Sequence, residues 1–467
     1  MLKFIVLILM LNFVLGCQTN KSTKVEKPPN LIIILTDDQG YGDVGFNGCT
    51  DIPTPNIDRI AENGVVFTNG YVSYGVCGPS RAGLITGRYQ DRFGFGRNPL
   101  FAPNDPNQGL PLTEETLASA LDKVGYQTMA IGKWHLGAHK SQRPLNRGFD
   151  EFFGFLTGGH KYFPENWTLD DISGVNSQFA AYNTKLLKND SRINEKEYLT
   201  DALSREAVSF VERNTDSPFF LYLAYNAPHT PLQATEKYLE RFTHIDNKKR
   251  KTYAAMVSSV DDGVGNLLDK LAELDIHENT IVFFLSDNGG PYKTNGSNNN
   301  PLREGKGSLY EGGVHVPFAV QWPKNIPQGK RYNQPVISLD IFATAAAYAG
   351  ANPTNDLDGV NLVPFLTGEE KGIPHEQLFW RKYDAKEYAT RKGDMKLLSL
   401  KDEQEELYNL DKDISEKNPL ESKEDVQKLN DLYKDWLNQM KNPIFLGLMQ
   451  NEEYNAAHPT RFTIEKY

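Results

Sequence analysis

The sequence is poor in cysteine and carries no concentrated positive charge. Three cysteines occur in 467 residues, at positions 17, 49 and 77, so stability must come from a large core and not from a disulfide framework. An odd number also suggests thiols that serve chemistry. The formal net charge is −10 and no long lysine or arginine run occurs, which argues against nucleic acid as a partner. No spacing of histidine and cysteine suggests zinc.

The composition is that of an ordinary globular protein, with 39% hydrophobic and 24% charged residues. A chain of 467 residues is too long for one simple core, and one large and one small domain are expected. If the substrate is an anion, a local cluster of cationic groups must attract it, because the charge of the whole protein repels it.

The first 16 residues are an apolar run after a single early lysine. The run is too short to span a bilayer and is typical of a secretory signal. It ends in Val14-Leu15-Gly16-Cys17, which is similar to the bacterial lipobox. Residues 1–16 are therefore predicted to be a lipoprotein signal peptide, Cys17 the lipidated residue, and 17–29 a polar tether. A plain signal peptide with Cys17 incidental is the alternative.

This pattern predicts an exported protein, periplasmic or at the cell surface of a bacterium. It would contact the membrane only through a lipid anchor on Cys17, since each buried CH₂ of an acyl chain contributes about 0.8 kcal/mol.

Four short apolar runs each stop at polar, chemically capable side chains. Runs without alternation suit strands that are buried on both faces, as in parallel sheets. Helical patterns lie between them, at 117–124 and 253–274. The runs are Leu31–Leu35, Thr128–Ile131, Phe219–Ala224 and Ile281–Leu285. In such α/β sheets ligands bind beyond the carboxyl ends of the strands, where the polar clusters fall.

The predicted fold class is α/β, with a large mixed, mostly parallel sheet flanked by helices and a smaller C-terminal domain. The catalytic domain is expected over 30–350, ending in an alanine-rich helix closed by Gly350. The C-terminal region, 351–467, is expected to hold a short antiparallel sheet and one helix. Its predicted strands are 378–381, 388–391 and 395–400, and its helix has an apolar face from Val426 to Met440. Residues after Lys441 show no clear periodicity.

The segment Cys77-Gly78-Pro79-Ser80-Arg81 places a thiol just ahead of a predicted helix, with Pro79 suited to the first turn. The positive end of the helix dipole and the charge of Arg81 are expected to act on that thiol. Taken alone, a small buried cysteine beside a turn is the ordinary interpretation. Together with Leu84-Ile85-Thr86-Gly87-Arg88, however, the segment resembles the signature of the type I sulfatases of the alkaline phosphatase superfamily.

The resemblance extends from about Pro29 to about Met440 and implies the cofactors. In that family the cysteine of the motif, here Cys77, is converted to formylglycine (3-oxoalanine) by a maturation enzyme. One Ca²⁺ ion is implied, because hard oxygen ligands with several negative charges suit it. Its implied ligands are Asp37, Asp38, Cys77, Asp287 and Asn288. An isolated Asp-Asp or Asp-Asn pair is otherwise a turn or cap.

The resemblance also implies catalytic roles for six residues: Cys77, Arg81, Lys133, His135, His229 and Lys306. Arg81 would orient the modified residue, Lys133 would hold a sulfate oxygen or the hydrated aldehyde, and Lys306 would help to bind sulfate. His135 would remove the proton that triggers sulfate release, and His229 would act as general acid near the leaving alcohol. The alternative is that the histidines are satisfied core residues and the lysines solvated.

Candidates for substrate contact lie outside this inner set. Arg97, His160, Arg303 and Arg381 could bind carboxylate or sulfate groups, although a surface ion pair is an alternative for each. Where many relatives carry arginine after Glu311-Gly312-Gly313-Val314, this chain has His315, so a fixed charge becomes titratable.

The implied substrate is a sulfated oligosaccharide or polysaccharide, either algal, such as ulvan or carrageenan, or a glycosaminoglycan. Two alternatives stay open: a phosphoester or phosphonate hydrolase of the same superfamily, and a non-catalytic lipoprotein that binds sulfated glycan.

Overall fold

A computed structural model describes residues 27–170, 174–401 and 404–462. Its main feature is a ten-stranded sheet in the order β11-β2-β10-β9-β1-β8-β4-β5-β6-β7. The strands of that sheet are β1 (Asn30–Thr36), β2 (Gly64–Phe67), β4 (Gln127–Lys133), β5 (Glu151–Phe155), β6 (Leu187–Lys188), β7 (Ser191–Arg192), β8 (Phe219–Ala224), β9 (Thr280–Ser286), β10 (Phe318–Gln321) and β11 (Lys330–Tyr332). A separate parallel pair joins β3 (Gly70–Tyr71) and β12 (Val336–Ile337).

The four predicted apolar runs form the centre of the large sheet. Strands β9, β1, β8, β4 and β5 are mutually parallel, whereas β10 pairs antiparallel with β9 and β2. The register aligns Thr36 with Ser286 and Leu35 with Ala224, so the residues that follow these strands emerge side by side. The predicted fold class, a mixed and mostly parallel α/β sheet, is confirmed.

Helices cover both faces of this sheet. The helices are α1 (Pro55–Glu62), α2 (Cys77–Thr86), α3 (Leu117–Asp122), α4 (Leu199–Arg213), α5 (Glu236–Leu239), α6 (Lys248–Glu273), α7 (Tyr292–Asn295), α8 (Glu311–Val314), α9 (Asp340–Ala349), α10 (Val363–Thr367), α11 (Lys423–Leu437) and α12 (Asn451–Ala457). Alternate residues of β1 serve the two layers, because successive side chains of a strand point to opposite faces. Ile33 packs in the core with α2, α3 and α9, and Ile34 packs in the core with α1, α4 and α6.

Two helix ends show how local sequence sets the boundaries. Helix α6 begins five residues before the predicted start, because the Asn247 side chain accepts a hydrogen bond from the Arg250 N–H and caps it. Helix α9 ends at Gly350, which has a φ of 71°, as its glycine predicts. None of the helices in the described ranges is long and apolar enough to cross a membrane.

The C-terminal region forms a four-stranded antiparallel sheet against α11. Its strands are β13 (Gln377–Lys382), β14 (Glu387–Lys392), β15 (Met395–Leu400) and β16 (Gln404–Asn409). Three of them were predicted. The fourth, β16, carries polar residues at its exposed beginning and buried Leu407 and Tyr408 near its end, so the alternation of a half-buried strand is weak.

The predicted signal peptide and Cys17 lie outside the described residues, as does most of the predicted tether.

Candidate active site

The ends of three parallel strands at the centre of the large sheet bring residues of the predicted inner set together. Asp37 and Asp38 follow β1, Lys133 is the last residue of β4, and Asp287 and Asn288 follow β9. All five are buried. Asp38 has a φ of 67°, which turns the chain sharply at the strand end. The level ends of parallel strands therefore place residues 250 positions apart in one cluster.

Cys77 lies against this cluster, at the start of α2. Its Sγ is 3.1 Å from Lys306 Nζ and 3.6 Å from Asp37 Oδ1. Asn98 Oδ1 accepts a 2.8 Å hydrogen bond from the N–H of Gly78 and so satisfies one of the free donors at the helix start. The sequence did not predict the capping role of Asn98, because no local pattern marks an asparagine in a loop twenty residues after Gly78.

The expected activation of the thiol is wrong. Burial raises the pKa of Cys77 to about 12, although Lys133 and Lys306 act in the opposite direction. Arg81 does not face the sulfur: its Nε and Nη2 each lie 2.8 Å from Asp287 Oδ2, and its Nη1 donates to the Lys133 carbonyl. The unmodified thiol is therefore protonated at neutral pH and is a poor nucleophile.

Buried carboxylates and cations are matched one to one in the cluster. Lys133 Nζ is 2.5 Å from Asp37 Oδ2, and Lys306 Nζ is 2.6 Å from Asp38 Oδ1. Burial by itself raises the pKa of Asp37, but Lys133, His229 and Arg81 outweigh it and hold that pKa well below its usual value. For Asp287, burial and the charge of Asp37 raise the pKa to about 6.

The donor set fits a divalent cation. Ligand atoms of Asp37, Asp38, Cys77 and Asp287 all lie within 4.8 Å of one another. The Oδ1 of Asn288 is buried and has no hydrogen-bond partner among the described residues, although its Nδ2 donates to Asp38 Oδ1 at 2.7 Å. Buried acceptors in native proteins usually have partners, and a cation would provide one here. Oxygen ligands with several negative charges suit Ca²⁺.

Two imidazoles face the same cluster. His229 Nδ1 donates to the Thr230 carbonyl at 2.5 Å, which leaves Nε2 directed at Asp38 Oδ2, 3.7 Å away. The hydroxyl of Tyr162 lies 2.8 Å from the His229 carbonyl and supports this turn. Burial lowers the pKa of His229 below its usual value, against the pull of Asp37 and Asp38.

His135 follows Lys133 and has a φ of 56°. Burial first, then Lys133 and Arg81, hold its pKa well below the usual value. Its Nδ1 has no partner in the part of the chain that the structure describes. The ring packs on Gly158, where an added Cβ would lie 2.8 Å from the ring atoms, so a glycine is needed at this close approach.

A protein-family model described as "Sulfatase" matches residues 29–351. A second model, described as "N-sulphoglucosamine sulphohydrolase, C-terminal", matches residues 305–443. The chain belongs to the sulfatase family. The resemblance predicted from the Cys77 motif is thereby confirmed, and the family is one of sulfuric ester hydrolases.

Relatives of this sulfatase include human N-acetylgalactosamine-6-sulfatase, 35% identical over 73% of this chain and 66% of the relative; the match thus spans just under two thirds of the human protein. The Escherichia coli protein named "Uncharacterized sulfatase YdeN" is 34% identical over 78% of this chain and 70% of its own length.

Solved structures give the same assignment. The crystal structure titled "Ps i-CgsB in complex with k-i-k-neocarrahexaose" has a TM-score of 0.85 and 40% identity, covering 94% of this chain and all of that one. The PsFucS1 sulfatase from Pseudoalteromonas sp. has a TM-score of 0.74 and 27% identity, covering 89% and 92%. A phosphonate monoester hydrolase of Agrobacterium radiobacter, at 20% identity, covers 88% of this chain and 95% of its own with a TM-score of 0.62, which shows a shared fold only.

The outer candidates of the sulfatase are not gathered at the cluster. His160 is fully buried, and its ring nitrogens lie 2.9 and 2.8 Å from the carbonyls of Lys161 and Thr184. His315 Nδ1 lies 2.9 Å from the buried Glu311 carboxylate. Neither ring is exposed to a substrate, so the structure argues against the predicted contacts. His160 and His315 instead bind neighbouring groups of the protein through these hydrogen bonds.

Two of the arginine candidates hold the C-terminal region in place. Arg303 Nη1 donates to the Glu416 carbonyl at 2.7 Å and to the Tyr408 hydroxyl at 3.1 Å. Arg381 donates to the Lys441 carbonyl at 3.1 Å and to Asn442 Oδ1 at 2.8 Å. Arg381 is buried and both of its terminal nitrogens bind protein acceptors, which speaks against the predicted substrate contact, whereas Arg303 uses Nη1 to join the C-terminal region to the large domain.

Arg97 differs, because it lines a cavity beside the Cys77 segment. Its Nε and Nη2 bind the two oxygens of Asp384 at 2.9 and 2.5 Å. Arg97 thus keeps a position from which it can contribute to binding, as one half of an ion pair.

Proposed function

We propose that this protein hydrolyses sulfate esters of a sulfated carbohydrate, with a formylglycine made from Cys77 and one Ca²⁺ ion. The observation that carries the proposal is the placement of Cys77: its neutral, buried thiol touches Lys306 and Asp37 at the edge of a carboxylate cluster. A thiol that is a poor nucleophile itself, in the signature motif of the family, is consistent with a precursor of another reactive group.

A formylglycine at position 77 would supply an oxygen nucleophile, and Asp37, Asp38, Asp287 and Asn288 would hold a Ca²⁺ ion whose positive charge would stabilise the anionic sulfate. The side chains of this protein would bind the sulfate group, orient the reacting groups and transfer protons.

Lys133 and Lys306 bring two ammonium groups to the cluster, where Asp37 and Asp38 balance their charges. Both ammonium groups lie against the acidic cluster, and three donors on each can reorient towards a bound anion. Arg81 donates hydrogen bonds to Asp287 and the Lys133 carbonyl and so links the ends of β9 and β4.

His229 is placed to donate a proton to the leaving alcohol from Nε2, since its Nδ1 is held by the Thr230 carbonyl. A bound sulfate adds negative charge beside the ring and favours the protonated form. His135, whose ring is neutral through burial and neighbouring cations, is suited to accept the proton that accompanies sulfate release. Proton transfers of this kind typically contribute ~10²–10⁴-fold in rate.

For the substrate we favour oligosaccharides of algal sulfated galactans of the carrageenan class. The structure titled as a complex with k-i-k-neocarrahexaose shares 40% identity over 94% of this chain. The glycosaminoglycan alternative has the support of the human relative, at 35% identity over 73% of the chain.

The experiment begins with co-expression of the chain and a formylglycine-generating enzyme. Mass spectrometry of the tryptic peptide 60–81 should show a loss of ~18 Da, the mass difference between thiol and aldehyde side chains. Carrageenan, ulvan and chondroitin oligosaccharides are then incubated with the protein, and desulfation is followed by chromatography. Cys77→Ala should abolish turnover, while Cys49→Ala, at a half-buried thiol bonded to Asp51, should not.

An unmodified thiol with retained glycan binding would instead support the non-catalytic alternative. Faster turnover of an aryl phosphate than of an aryl sulfate would support the phosphoester alternative.

We also propose export and lipid anchoring through Cys17, on the basis of the lipobox-like sequence. Radiolabelled palmitate should label the native chain in a bacterial host and not a Cys17→Ser variant; equal labelling of both would contradict the proposal.

A further inference from the structure

A cavity of about 580 Å³ lies beside the cluster, outside the inner set of residues. Val76 and Gly307, the neighbours of Cys77 and Lys306, line one side of it. The N–H of Gly307 donates to the Gly75 carbonyl at 2.7 Å, so the two segments that present Cys77 and Lys306 form a continuous wall. The volume lies within the roughly 300–1,000 Å³ of pockets that bind small organic ligands.

The opposite wall comes from the C-terminal tail, which we define as residues 441–461. The tail runs along residues 91–105: the N–H of Ile444 donates to the Gly94 carbonyl at 3.0 Å, and that of Leu448 to the Asn98 carbonyl at 3.1 Å. Gly447 fits tightly here, because a Cβ on it would lie 2.7 Å from the Cβ of Arg97. Asn98 also caps the helix that begins at Cys77, so the tail is held against the segment that orients the reactive residue.

The lining combines apolar and hydrogen-bonding groups. Met449 is 88% exposed and Leu448 is 36% exposed, and the two adjacent side chains form an apolar part of the cavity wall. The bidentate pair of Arg97 and Asp384 lines the same cavity, and its carboxylate also accepts from Gln450 Nε2 at 3.3 Å. The Asp384 side chain is 41% exposed and retains lone pairs for further donors.

Such a lining suits a sugar ring. Aliphatic side chains cover the C–H face of a pyranose, while a fixed carboxylate and amides bind its hydroxyls. The cavity adjoins Cys77 and Lys306 through Val76 and Gly307, but none of the residues of the inner set lines it. A sugar bound here would therefore be a neighbour of the unit that carries the reacting sulfate.

We propose that this cavity is a subsite for the neighbouring sugar of an oligosaccharide, and that the tail, through Leu448 and Met449, sets the preference for a chain over a single sulfated unit. The inference rests on the proposed function and specifies the substrate of that same site.

The test compares the matured wild type with a Leu448→Ala/Met449→Ala double variant. The control is a Leu112→Ala/Leu420→Ala double variant, whose exposed side chains lie outside the cavity. The ratio of kcat/KM for a carrageenan hexasaccharide to that for 4-nitrophenyl sulfate is measured for each. Loss of the tail contacts should lower this ratio about tenfold, mainly through KM, which corresponds to about 1.4 kcal/mol; the control should keep the wild-type ratio.

A second measurement does not need the modified residue. In a Cys77→Ala background, calorimetric titration with the hexasaccharide should give a Kd about tenfold higher when Leu448 and Met449 are replaced. A wild type that turns over the hexasaccharide, with an unchanged ratio and Kd in the double variant, would overturn the subsite but leave the proposed function standing. A wild type that desulfates none of the probes would overturn the proposed function, and the titration would still decide whether the cavity binds sugar.

Discussion

Replacement of Arg81 by methionine should destabilise the protein far more than the same change at a surface ion pair. Arg81 has no exposed surface, and its guanidinium lies 2.8 Å from the buried Asp287 carboxylate. Removal of one partner of a buried pair leaves an uncompensated charge, at a typical cost of about 3–5 kcal/mol. Arg59 lies at the same distance, 2.8 Å, from Asp269, but the two side chains are 35% and 70% exposed, so Arg59→Met should cost at most about 1 kcal/mol.

The two costs translate into different melting temperatures. Unfolding entropy near 60 °C is about 2.1 cal/mol/K per residue, or about 0.9 kcal/mol/K for some 430 described residues, if they unfold together. Arg81→Met should therefore lower the Tm by about 3–6 °C, and Arg59→Met by about 1 °C or less. Calorimetry in excess EDTA measures both without a contribution from bound Ca²⁺. Equal shifts for the two variants would refute the reasoning that burial makes the Arg81 pair critical.

Three further predictions address the cation, the proton donor and a pH-dependent contact. At 100 times its Kd, Ca²⁺ should stabilise the matured protein by about 2.7 kcal/mol and raise its Tm by about 3 °C. At the same Ca²⁺ concentration, Asn288→Ala should lose most of this Tm shift because a buried ligand oxygen is missing. An undiminished shift would show that Asn288 is not a ligand. His229→Ala should lower kcat ~10²–10⁴-fold for sugar sulfates and less for 4-nitrophenyl sulfate, because the leaving group of the latter needs no proton. His277→Ala serves as the control. Equal losses of kcat on both substrates would argue against the proton-donor role of His229. Burial lowers the pKa of His375, but the carboxylates of Asp340, 2.7 Å away, and Asp358 together raise it above its usual value. The folded state therefore holds the proton more tightly, and the stabilisation relative to His375→Asn should be complete below about pH 6.5 and vanish as the pH rises through the folded-state pKa. A Tm difference that is as large at pH 9 as at pH 5.5 would contradict this.

Electrostatic balance explains why the cluster of carboxylates is tolerated in a buried position. Asp37, Asp38 and Asp287 each have a cationic partner within 2.8 Å. Even so, the pKa of Asp287 stays raised at about 6 through burial and Asp37, which indicates that the cluster can still accept positive charge. A divalent cation would meet that need.

The inner site could be predicted from the sequence because each of its parts is local. Asp37-Asp38 and Asp287-Asn288 each come one hydroxyl residue after an uninterrupted apolar run, and parallel strands bring such residues to one edge of the sheet. The thiol environment could not be predicted in the same way. A helix start and a nearby arginine suggest activation, but burial dominates the pKa of Cys77, and Arg81 turns to a carboxylate 206 positions away.

The residues predicted to contact the substrate outside the inner site show more clearly what a local sequence pattern does not predict. Arg381 and His160 look the same in sequence as residues that contact a substrate, yet Arg381 fixes the start of the tail and His160 lies between two carbonyls in the core. The first part of the tail, residues 441–448, shows no periodic pattern, and it is held to Asp91, Gly94 and Asn98 through backbone hydrogen bonds, which any side chains can accompany.

The layered α/β architecture, the family and the strand ends that carry the acidic cluster follow from apolar runs and motifs, which consist of consecutive residues. The pairing of charges, the burial of the histidines and the contribution of the tail to the cavity beside Cys77 follow from the folded arrangement of distant segments. Burial and pairing depend on segments that are hundreds of residues apart in the chain, and the free energy of a charged group is set by those neighbours and not by its position in sequence.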